Sequence, residues 1–142
     1  MASSLRRLES REWDAILHLG LCGECTRPRI EIRAEDLLHM QIPDNSGRQE
    51  VDVQLSGNGD LQTLLPIKKW GVNHWEFDVE LSTNAGRFIC NETYFRTLEA
   101  LARHQFAIPC LFLHLPSDAY FSQKDSIKLI RQILAHMLYK PV

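Results

Sequence analysis

The chain has 142 residues, of which 44% are apolar and 24% charged, so one core of domain size is expected and neither a disordered tail nor a fibre fits. A formal charge of -2 removes the electrostatic case for nucleic acid or an anionic membrane surface. The longest apolar runs, such as Ala15-Ile16-Leu17 and Cys110-Leu111-Phe112-Leu113, are far too short to span a bilayer.

At the amino end Leu5, Leu8, Glu12 and Trp13 fall at helical spacings with charges between them, which predicts a helix and gives no apolar core of a secretory signal. Ala15 to Leu21 comes next as a short apolar run closed by Gly20 and Gly23, the pattern of an inner strand buried on both faces. Arg29 to Leu38 reads as strand then turn, and Ile42-Pro43-Asp44-Asn45-Ser46-Gly47 as loop. Val51, Val53 and Leu55 alternate with Asp52 and Gln54, predicting a half-exposed strand. Leu61, Leu64 and Leu65 suggest a helical turn, Pro66 suits a first helical position, and Gly71 limits the length of any helix begun there.

Phe77 to Leu81 alternates as a strand, and Ser82-Thr83-Asn84-Ala85-Gly86 makes a tight turn into a helix over Phe88 to Arg103. Pro109 precedes a second buried strand, Cys110 to Leu115. Ser122-x-x-Asp125 is a capping pattern ahead of Ile127, Ile130, Ile133, Leu134, Met137 and Leu138, the apolar stripe of a final amphipathic helix. Strands and helices alternate, so the fold class expected is α/β: three layers, α/β/α, around a mainly parallel (mixed) sheet, with residues 1–142 as a single domain.

The position that carries most chemistry is Cys90, at the start of the long helix. Unpaired N–H groups and the helix dipole there stabilise a thiolate, and the same groups can receive a developing oxyanion; the competing reading is a small buried hydrophobe. His114 lies near the carboxyl end of its strand, the edge at which ligands gather in open α/β sheets, so the two could meet; a histidine bonded within the core is the alternative. Cys22-x-x-Cys25 reads as structural or incidental, because no second ligand pair with zinc spacing accompanies it, and no metal site is expected. Four cysteines are too few for a disulfide framework and fit a reducing cytoplasm. Asn91-Glu92-Thr93 matches a glycosylation acceptor, which has no meaning without secretion. The arginines of the first third are nearly balanced by acids, and Gly57-Asn58-Gly59-Asp60 lacks the Lys-Ser/Thr of a phosphate loop.

Taken together and in order, five segments resemble pyroglutamyl peptidase I, a cytosolic family of cysteine peptidases also called pyrrolidone-carboxylate peptidases. They are His18-Leu19-Gly20-Leu21, Glu31 through Ile42-Pro43-Asp44-Asn45-x-Gly47, Leu65-Pro66-Ile67-Lys68, Ser82 through Cys90-Asn91, and Phe112-Leu113-His114-Leu115-Pro116. The resemblance spans roughly residues 12 to 138 and corresponds to the central and carboxyl-terminal part of such an enzyme. It implies a Glu-Cys-His triad of Glu31, Cys90 and His114, a thioester intermediate, and release of pyroglutamic acid from the amino terminus of peptides. It further implies that Ile42, Phe88 and Ile89 line the apolar pocket for the lactam ring, with no cofactor.

The departures from the family pattern carry equal weight. The family's opening strand and Thr-Gly-Phe-x-Pro-Phe loop, which supplies part of the lactam pocket, are absent, and Gln41 and Asp36 stand where the family has Arg and Asn. Assignment of the triad acid therefore rests on the distance of Glu31 from Ile42, with Glu35 as competitor. A sheet lacking its first strand would expose an edge, so either a partner subunit, as in a homo-oligomer, or marginal stability is expected. The second functional reading is a truncated, inactive relative or interaction module.

Overall fold

The computed structural model describes residues 13–139. Within them the chain forms β1 (Ile16–Leu21), β2 (Arg29–Glu31), β3 (Arg33–Ala34), β4 (Leu61–Gln62), short 3-10 helices at Ile67–Trp70 and Val72–His74, β5 (Glu80–Ser82), α1 (Ile89–Arg103), β6 (Cys110–Leu115) and α2 (Gln123–Met137).

Strand β6 organises the packing, because its six residues are apolar except for His114 and alternate between two faces. Cys110 and Phe112 join Tyr94, Phe95, Leu98 and Leu101 of α1 in one core. Leu111 and Leu113 join Leu129, Ile133 and Met137 of α2, together with Ile67, Trp70 and Val72, in the other. A strand buried on both faces needs a cover on each, and the result is three layers, α/β/α. The main sheet has four strands in the order β1-β6-β2-β5. Pairs β1·β6 and β2·β5 are parallel and β2·β6 is antiparallel, so the sheet is mixed and mainly parallel. The reversal of β2 brings Arg29, its first residue, opposite His114 near the end of β6.

Several local expectations are corrected. Among the described residues β1 is an edge strand paired with β6 alone, where an inner strand was expected, and Leu19 and Leu21 are 53% and 73% exposed. An apolar run does not by itself reveal how many neighbours it has. Val51 to Leu55 makes only the isolated bridge Leu38↔Val53, because Asp52 takes a left-handed φ of 50° that breaks an extended run. Leu61 and Gln62 pair in a short antiparallel ladder with β3 instead of turning helically. In the 77–81 segment regular pairing begins only at Glu80. Cys22 and Cys25 are joined as a disulfide rather than held as thiols, across a turn that brings their Cα atoms to 5.3 Å. The helix expected over Leu5 to Trp13 falls, save for Trp13 itself, outside the described residues.

Candidate active site

Glu31 and His114 come from neighbouring antiparallel strands at diagonal positions, within reach of each other on the face that α1 covers. Glu31 Oε1 lies 2.9 Å from His114 Nδ1, and both side chains are buried. A carboxylate can only accept, so Nδ1 carries the proton and Nε2 is left to exchange one. The Cys90 side chain lies close enough to the same imidazole to act on its charge. Burial pushes this imidazole down, but hydrogen bonds to Cys90 and Glu31 and the charges of both outweigh it, and the pKa is raised to about 9. His114 therefore holds a proton at neutral pH. The backbone of Glu31 is fixed from α1, where the Tyr94 hydroxyl donates to its carbonyl at 2.8 Å. Burial raises the Tyr94 phenol pKa, so it remains a donor.

The cysteine arrives at this pair by a tight turn. Ser82 Oγ accepts from Asn84 N at 3.1 Å, Asn84 Oδ1 accepts from Gly86 N at 2.9 Å, and Gly86 takes the left-handed φ of 84° that the reversal needs. Phe88 stands at the N-cap of α1 with no side-chain cap, leaving the first amides of the helix, including that of Cys90, without a capping oxygen. Asn91 anchors the helix start: its Nδ2 donates to the carbonyls of Glu35 and Leu37, and its Oδ1 accepts from Glu35 N. It is fully buried, so the folded chain offers no glycosylation acceptor there. Glu92 accepts two bonds from Arg48 at 3.2 and 2.6 Å, tying the Ile42 to Arg48 loop to the same helix. Gly20 of β1 closes the other side, where an added Cβ would sit 2.8 Å from Phe112 Cζ and 3.1 Å from Cys90 Sγ.

Three of the six residues singled out from the sequence thus meet: Glu31, Cys90 and His114. Glu35 points elsewhere, pairing with Arg33 at 3.4 Å and Arg87 at 3.2 Å. Phe88 is partly buried against the α1 core, whereas Ile42 and Ile89 are 64% and 42% exposed. The carboxylate of Asp36, which replaces the family's Asn, collects the amides of Ser56, Gly57 and Gly59 at 2.6, 2.9 and 3.0 Å. Burial alone would raise its pKa, but these bonds lower it, and the carboxylate holds the 56–59 loop. Sequence reasoning missed Arg29, Tyr94, Asn91 and Arg48, since each acts across a long separation that no local pattern records. The places of Cys90 and His114 were legible because position in an element, helix start or strand end, is itself a local property.

Among the described residues no helix is long and apolar enough to cross a membrane. A sequence model of the pyroglutamyl peptidase family matches residues 2–128. The pyrrolidone-carboxylate peptidase of Deinococcus radiodurans is 28% identical over 123 residues, covering 83% of this chain and 56% of that protein. That of Enterococcus faecalis is 30% identical over 113 residues, covering 77% and 53%. The chain thus spans about half the length of these curated relatives. Among solved structures, pyrrolidone carboxyl peptidase from Thermus thermophilus superposes with a TM-score of 0.81 at 28% identity, covering 95% of this chain and 76% of that one. Pyroglutamyl peptidase I from Bacillus amyloliquefaciens superposes at 0.83 with 24% identity, covering 97% and 72%, a likeness of fold.

Proposed function

The chain belongs to the pyroglutamyl peptidase family, and we propose that it hydrolyses the amide bond following an amino-terminal pyroglutamate, with Cys90 as nucleophile, His114 as acid and base, and Glu31 as the orienting carboxylate. The observation that carries this reading is the buried Glu31–His114 pair at 2.9 Å, with Cys90 close enough to act on the same ring. The Cys90 thiolate attacks the pyroglutamyl carbonyl. The oxyanion that forms is met by the uncapped amides at the start of α1. Imidazolium His114 gives its Nε2 proton to the leaving amine, and the C–N bond breaks to leave a thioester. Water then enters, His114 takes its proton, and pyroglutamic acid is released with Cys90 regenerated. Glu31 holds Nδ1–H throughout and stabilises the cation.

Ile42, Phe88 and Ile89 form the apolar side of the lactam site in this reading. The exposure of Ile42 and Ile89 favours a second reading, in which that site is incomplete and the chain is an inactive relative or interaction module. Release of a fluorescent amine from pyroglutamyl-aminomethylcoumarin, by the chain and by Cys90→Ser, separates the two. Turnover that disappears in Cys90→Ser is expected; a folded chain with no turnover supports the second reading.

A further inference from the structure

Arg29 enters the site on β2, two residues before Glu31, and its guanidinium reaches both halves of the machinery. Its Nε lies 3.4 Å from Glu31 Oε1 and 3.5 Å from Glu80 Oε2. Its Nη2 donates to Ser82 Oγ and, at 2.8 Å, to the carbonyl of Asn84, inside the turn that delivers Cys90 to the start of α1. Its Nη1 lies 3.9 Å from Cys25 Sγ of the disulfide turn. Two polar atoms in this region are buried without a hydrogen bond, Arg29 Nε and Glu31 Oε2, one a donor and the other an acceptor. Arg29 thus brings Glu31 a donor that no other group has taken, beside a carboxylate oxygen that no donor has met.

We propose that Arg29 is a positioning residue for the hydrolysis, holding Glu31 in register with His114 and, through Ser82 and Asn84, fixing the turn that sets Cys90 against the same ring. This rests on the peptidase reading for its effect on rate, but not for its effect on the imidazole. Only a planar fork can serve Glu31 and the Asn84 carbonyl at once, whereas a lysine offers a single point charge. The charged and titratable groups tied by contacts to Glu31 and His114 are Arg29 on β2, Glu80 on β5, Cys90 and Tyr94 on α1, with His18 on β1 stacked on Phe112, whereas Glu92, Arg96, Glu99 and Arg103 of α1 pair among themselves and with Arg48. Of these, Arg29 is the cation beside the Glu31 carboxylate, at 3.4 Å.

The test uses the full chain with Arg29→Met and Arg29→Lys, reading kcat and KM on pyroglutamyl-aminomethylcoumarin and the titration of His114 by imidazole NMR. Arg29→Met is expected to lower kcat by roughly ten- to a hundredfold with KM little changed, as a small misplacement of reacting groups does. As Glu31 loses its register, the His114 midpoint moves down toward its ordinary value. Arg29→Lys keeps the charge but not the fork, so kcat stays reduced and the midpoint moves down as well. An unchanged kcat or an unchanged midpoint in Arg29→Met overturns the proposal. If Arg29→Met does not fold, Arg29→Lys decides, and kcat at the wild-type value overturns it. Should the wild-type chain release no amine, the peptidase reading falls, and the His114 midpoint alone supports or overturns the role of Arg29.

Discussion

Glu31 is buried, and a buried carboxylate is costly unless its oxygens find partners; His114 supplies one at 2.9 Å and Arg29 lies beside it. Glu31→Gln keeps the volume but lets the side-chain amide donate to Nδ1, which selects the wrong tautomer and removes the charge that supports imidazolium. The expected result is a loss of roughly 10²–10⁴ in kcat on the pyroglutamyl amide, with the His114 midpoint falling toward its ordinary value in an imidazole NMR titration. Gly20 makes a different point, because its lack of a side chain is what admits Cys90 and Phe112. Gly20→Ala is expected to slow alkylation of Cys90 by iodoacetamide or to misplace it for turnover, and to destabilise the fold by roughly 1–3 kcal/mol through overpacking. Wild-type behaviour on both measures would remove that role. Nothing in the segment His18-Leu19-Gly20 tells a reader that a cysteine seventy positions later will rest there.

At the scale of elements, legibility depends on how local the stabilising interaction is. Ser122 Oγ accepts the Asp125 amide at 3.1 Å, as the Ser-x-x-Asp pattern predicts, because an N-cap is satisfied within its own helix. Ser122→Ala should therefore cost about 1 kcal/mol in urea unfolding, with the slope of the transition unchanged. Helices α1 and α2 were legible for the same reason, through apolar stripes that repeat within fifteen residues each. Short strands were not. The alternation of Val51, Val53 and Leu55 was outvoted by the turn at Asp52, and the apolar Leu61 became a strand only because Arg33–Ala34 lay alongside to pair with it.

For the whole molecule, the raised His114 pKa is a statement about stability against pH. The folded value of about 9 exceeds the ordinary 6.5, so the folded state binds a proton more tightly; the stabilisation is full below about 6.5 and is lost as pH rises through about 9. Urea unfolding of the wild type and Glu31→Gln should differ most near about pH 6 and converge near about pH 10. A gap that stays constant would mean that the pair contributes nothing through its charge. On the acid side the signs reverse. Burial lowers the pKa of His18, which hydrogen-bonds Thr97 across the α1 layer at 3.1 Å, so stability declines as pH falls below the ordinary imidazole range. Asp36 loses its loop-holding contribution as pH falls below the ordinary carboxylate value of 3.8.

Local patterns specify the layer pattern, the two long helices, the doubly buried strand Cys110 to Leu115, and the placing of Cys90 at a helix start and His114 near a strand end, because each is written in a period or a cap within one segment. Strand order was decided only in three dimensions. The antiparallel insertion of β2 beside β6 is what sets Glu31 against His114, brings Arg29 to the same end, and leaves β1 at the edge with Leu19 and Leu21 exposed. Pairing depends on which edges are free when segments far apart in the chain collapse together, and no local pattern of side chains encodes that choice.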